Sequence, residues 1–86
     1  MKITNIKIRR IIPNKGHVGF FSCIIDNWLY LNNIAIFTRL SDPSKIRLVF
    51  PEKKLNDKRI NIFYPVKTDA YAMFEKIIQD KMNELL

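Results

Sequence analysis

The sequence predicts an α+β fold, a twisted and bent antiparallel sheet of about five strands followed by one C-terminal α-helix. Three observations carry this. As far as Pro65 the apolar residues fall in short runs of period two, broken by clusters of Asn, Asp, Pro and Gly. From Thr68 onward the period changes to three or four, one face of a helix. The 86 residues make a single domain, because a chain this short buries only about 60 to 65% of its unfolded surface and cannot support two cores. Six Phe, three Tyr and one Trp within a 48% hydrophobic composition supply the material for that one core.

The first strand is expected from Lys2 to Ile12, where Ile6, Ile8 and Ile12 share one parity and Asn5, Lys7 and Arg9 the other. Arg10 breaks the alternation. Pro13, Asn14, Lys15 and Gly16 form a turn, and the β-branched and aromatic run from His17 to Asp26 returns antiparallel. Asp26 and Asn27 both tolerate positive φ and close a hairpin onto Trp28 to Leu31. Asn32 and Asn33 then make a bulge or corner before Ile34 to Leu40. After a turn at Ser41, Asp42, Pro43 and Ser44, Ile46, Leu48 and Phe50 alternate as a strand. Ile60, Ile62 and Tyr64 alternate as another, which Pro65 ends because it has no amide proton for a ladder. The two flank a polar loop. Tyr71, Phe74, Ile78, Met82 and Leu85, with Ile77 alongside, give a helix of about 17 residues, capped by Thr68 and with Asp69 in its first turn.

Charge separates the body from the helix. Residues 1–67 hold 13 Lys and Arg against 4 acids, a balance of +9, whereas residues 68–86 hold 2 against 4, a balance of −2. A basic body calls for nucleic acid, an anionic membrane or an acidic protein as partner. Catalysis is poorly supplied. His17 is the single imidazole, Cys23 the single thiol in an apolar strand, and Gly16 and Gly19 form no phosphate loop. Asp26, Asp42, Glu52 and Asp57 sit in turns, where solvation explains them. The chain is therefore expected to be no enzyme and to use no cofactor, metal or small-molecule substrate. No apolar run approaches the roughly 18 residues of a membrane span, and the N-terminus lacks a cleavage site, so a cytoplasmic location without membrane partners is expected.

The cations form three groups: Arg9 and Arg10; Arg39, Lys45 and Arg47; and Lys53, Lys54, Lys58 and Arg59, with Lys67 close behind. The third is the densest, set in FPEKKLNDKRINIFYP between the two flanking strands. A loop held at both ends projects its charges from a rigid base toward phosphates, although Lys at sheet edges also serves to block aggregation. Tyr30, Phe63 and Tyr64 are candidates for stacking on bases if they face outward.

Several strings, in order, resemble the SpoVG family of small bacterial septation and sporulation regulators. They are MKITNIKIRRI with its paired Arg9 and Arg10, Ile25 and Asp26 before the hairpin, LNNIAIF from Leu31 to Phe37, Val49 to Lys54, and RINIFYP from Arg59 to Pro65. The resemblance spans nearly the whole chain. It implies a homodimeric regulator of gene expression that binds DNA site-selectively and also RNA, with a strongly bent antiparallel sheet and a C-terminal helix. Lys53 and Lys54 match the basic pair that opens the family's loop. Two departures stand out: Asn56, Asp57 and Lys58 replace a Pro-Asp-Gly turn, and Tyr71 and Met73 stand where the family's helix carries basic residues. Recognition is thereby expected to fall on the loop. Lys53, Lys54, Lys58 and Arg59 would contact phosphates of duplex DNA, or of RNA as a second ligand, with Arg9, Arg10 and Lys67 in support. The competing expectation is a protein-interaction module whose positive charge serves solubility or an acidic partner.

Overall fold

The computed structural model describes residues 1–85. Its elements run β1 (Ile3–Asn14), β2 (His17–Ile25), β3 (Leu29–Thr38), β4 (Ile46–Val49), β5 (Glu52–Leu55), β6 (Lys58–Asn61) and α1 (Thr68–Leu85). The fold class is α+β: β1 to β4 form an antiparallel meander in sequence order, β5 and β6 form a separate two-stranded sheet, and the helix follows. The strands number six, in two sheets, where about five were expected.

Turn chemistry fixes the meander. β1 continues through Pro13 to Asn14, which pairs with His17, so the turn is only Lys15 and Gly16, both at positive φ. Pro13 is tolerated because β1 is an edge strand and needs no amide proton there. The β2–β3 turn uses Asp26 (φ 49°) and Asn27 (φ 63°), and Trp28 N–H donates to Ile25 C=O at 3.1 Å. Asn33 (φ 60°) marks a bulge in β3, where Asn32 and Asn33, between the Leu31–Cys23 and Ile34–Phe21 pairs, oppose the single residue Ser22.

The irregularities of β1 correct the simple alternation. Asn5 (φ 52°) is the extra residue between Thr4 and Lys7, which keeps Ile3, Ile6 and Ile8 all against the core. A second shift between Arg10 and Asn14 turns Ile12 outward, 89% exposed, although it shares the parity of Ile6 and Ile8. Gly19 lets the strands close here: a Cβ on it would lie 2.8 Å from the Arg9 carbonyl oxygen.

One face of the meander carries Phe21, Cys23, Ile25, Ile34, Ile36, Ile46 and Leu48, all buried, and Phe50 joins them. The helix covers this face. Phe74 and Ile78 are its buried residues, and the Phe74 ring lies 6.0 Å from Phe50 and 6.4 Å from Phe21. Leu85, the last member of the expected stripe, is exposed because the contact ends a turn earlier at Met82. Lys67, not Thr68, occupies the cap position, since its carbonyl accepts the first helical bond from Tyr71 N–H. A lysine side chain cannot accept an amide, and Asp69 Oδ1 takes the Ala70 N–H instead at 3.0 Å.

The helix also closes the outer edge of β4. Tyr71 Oη accepts Leu48 N–H at 3.0 Å and donates to Leu48 C=O at 2.9 Å, while Gln79 Oε1 accepts Ile46 N–H at 3.0 Å. No helix among the described residues is long and apolar enough to cross a membrane.

Candidate nucleic-acid interface

The densest cationic segment is not a loop. Leaving the core at Phe50, the chain passes Pro51 and folds into the β5–β6 hairpin, with Asn56 (φ 56°) in its turn. Asn-Asp at the turn serves where the sequence lacks glycine, because Asn tolerates positive φ. The second flanking strand is correspondingly displaced: β6 ends at Asn61, and Ile62 to Tyr64 are not in a strand, so Pro65 terminates no ladder. Ile62 N–H donates to Pro51 C=O at 2.7 Å and clamps the base of the arm. All eight strand residues of the arm are exposed.

Register divides the cations between two faces. Lys54 pairs directly with Arg59, and Glu52 with Asn61, on one face; Lys53 pairs with Ile60, and Leu55 with Lys58, on the other. Like charges directly opposite in a ladder repel. No ion pair of the described residues involves any of these four cations; the three present are Arg39–Glu75, Lys76–Asp80 and Lys81–Glu84.

The remaining expected contributors lie elsewhere. Arg10 points to the helix side of β1 and donates from Nη1 to Leu85 C=O at 3.2 Å, where its charge meets the helix C-terminus. Lys67 is exposed at the helix start. Arg9, one residue along β1 from Arg10, points to the opposite face of the meander, with its guanidinium 5.2 Å from the Phe20 ring centroid. Arg39 is spent on structure, bonding Ile46 C=O and Glu75 Oε1. Of the seven residues, the fold thus brings together Lys53, Lys54, Lys58 and Arg59.

The open face of the meander escaped the sequence reading. Arg47 stands 4.7 Å from the Phe37 ring, His17 stacks on Phe37 at 4.7 Å and 12°, and Phe20 meets His17 edge-on at 4.6 Å. His17 Nε2–H donates to Gly19 C=O at 3.0 Å and fixes the ring in this row. Alternation in β2 signalled that Phe20 and Phe21 point to opposite faces, but only cross-strand register joins Phe20 to Arg9 and Phe37 to Arg47. Of the aromatics singled out in the sequence, Tyr30 and Tyr64 are exposed, whereas Phe63 packs on Phe50.

Cys23 is fully buried, and burial pushes its thiol pKa up. Asp42 Oδ1 accepts the Ser44 hydroxyl at 2.6 Å and the Ser44 amide at 3.1 Å, which holds its carboxyl below the usual range. Among the described residues no group of three or more His, Cys, Asp and Glu is arranged to hold a metal ion. No family model matches this chain, and no curated protein matches its sequence significantly.

Proposed function

We propose that this protein is a nucleic-acid-binding regulator of gene expression, a homodimer that lays its β5–β6 arm into the major groove of duplex DNA. The observation that carries the reading is Lys54 opposite Arg59 on an exposed ribbon, with no carboxylate in ion-pair contact among the described residues. Two cations held at repulsive distance favour a bound anion, and phosphates supply one. The major groove of B-DNA admits a two-stranded ribbon, whereas the deep, narrow groove of an RNA duplex does not. DNA is therefore the favoured duplex ligand, and the resemblance to the SpoVG family agrees with it. An antiparallel sheet followed by a C-terminal helix is also what that resemblance implies.

A dimer would present the arm twice and gain avidity from the doubling. The β4 edge is closed by Tyr71 and Gln79, which leaves β1 or an apolar surface for the partner subunit. Met1, Leu29 and Tyr64 are exposed around an apolar cavity of about 230 Å³. A second copy is the occupant we assign to it.

The second reading, an interaction module for an acidic protein, draws on Leu55 and Ile60, each 48% exposed beside Lys53 and Lys58. Gel-shift titration with unrelated duplexes separates the two. Neutralising about six phosphates weakens binding about a thousandfold between 50 and 200 mM salt. Lys54→Ala/Arg59→Ala is expected to reduce affinity sharply; unchanged binding in that variant and in Lys53→Ala/Lys54→Ala would remove the arm from the interface.

A further inference from the structure

We infer that the open face of the four-stranded meander is a second site, and that its ligand is single-stranded nucleic acid. It does not rest on the arm. Helix α1 covers only the opposite face, so Phe20, Phe37 and His17 on the two central strands are half-buried by their neighbours alone.

Charge identifies the ligand as an anion. β1, β2, β3 and β4 contain no Asp or Glu, while Lys7, Arg9 and Arg47 rise from this face on the two outer strands. None of the three has a carboxylate partner among the described residues. Cations flanking a central aromatic row would attract a backbone of phosphates and leave the bases over the rings.

The face also contains a cavity of about 230 Å³ beside Phe20, between Lys7 and Arg9 on one side and the Asn32–Asn33 bulge on the other, with Ser22 at its floor. Both bulge residues line it. Asn32 Oδ1 is engaged by the Asn33 amide at 2.8 Å, so its Nδ2 hydrogens remain to donate to a base carbonyl or ring nitrogen. A base entering here stacks on Phe20, its phosphate meets Lys7 or Arg9, and a neighbouring base stacks on the Arg47 guanidinium that caps Phe37. Paired bases in a duplex cannot reach this cavity, which restricts the site to unpaired strands. A loose cation–π contact at an exposed position is weak enough for a base to replace.

The test is fluorescence anisotropy with labelled twelve-nucleotide oligo(dT) and oligo(U), alongside duplex gel shifts of the same proteins. Phe20→Leu keeps apolar bulk but loses the ring, and affinity for the oligonucleotides should fall roughly tenfold. Phe20→Tyr should bind within about twofold of wild type, which separates stacking from folding. Lys54→Ala/Arg59→Ala should lose duplex and retain oligonucleotide, so failure of the arm and failure of this face are distinguishable. Oligonucleotide binding by a correctly folded Phe20→Leu equal to wild type overturns the inference. So does a Phe20→Leu protein that turns monomeric in sedimentation while wild type is dimeric, because the face would then belong to a second copy.

Discussion

At the scale of single residues, the pairing of Lys54 with Arg59 sets stability against binding. Reversing one charge removes the repulsion and creates an opposite-charge cross-strand pair, a change of about 0.2 to 1 kcal/mol in favour of the ladder. Lys54→Glu is therefore expected to raise the stability of the arm slightly and to abolish duplex binding, a combination visible by amide exchange and gel shift on one protein. A loss of both would mean that Lys54 supports the arm by some contact other than charge. Cys23 behaves in the opposite manner, with nothing to offer outside the core. Its pKa is raised because burial disfavours the thiolate, so the native thiol should stay silent toward a chromogenic disulfide reagent at pH 8 and react at the rate of unfolding. Buried inertness was legible from the place of Cys23 in an apolar strand beside Phe21 and Ile24. The charge pair was not, because it depends on which residue faces which across a turn whose length the sequence left open.

At the scale of elements, the contact between α1 and β4 is polar as much as apolar. Tyr71 fell on the apolar stripe of the helix, yet its hydroxyl satisfies both main-chain groups of Leu48 at a sheet edge. Tyr71→Phe leaves that donor and acceptor without their partner and should cost about 1 to 3 kcal/mol in chemical denaturation, more than loss of an exposed hydroxyl. It should also expose β4 as a pairing edge, detectable as association at high concentration. Helix and strand periods were readable because burial of one face imposes them, and Phe74, Ile78, Ile46 and Leu48 obey. What failed was the end of each pattern. Ile12 and Leu85 continue the parity or stripe past the point where their neighbours stop covering them, and Lys53 to Arg59 form strands without any core-facing residue to announce them. A two-stranded ribbon of that kind is marginal by itself, so its amides should exchange faster than those of β2 and gain protection when duplex DNA is bound.

At the scale of the whole molecule, the basic surface divides into an arm and an open face, and the helix side is closed by Arg10 on the helix end and by the Arg39–Glu75 pair. The net charge of +7 thus overstates how much is free for one ligand. The proposed dimerisation would decide how the arms are used. A single arm carries four cations on two faces, too few on either face for a steep salt response, and the proposed six neutralised phosphates need both subunits. Leu29→Lys, placed in the apolar patch with Met1 and Tyr64, which no cation of the arm lines, should convert the proposed dimer to a monomer in sedimentation equilibrium. If the arms act together, the slope of log affinity against log salt should fall to about half in that variant, since half the phosphate contacts remain on one subunit. A monomeric variant that keeps the full slope would place all the neutralised phosphates on one chain, which would require Arg9, Lys67 or the open face to contact the same duplex as the arm.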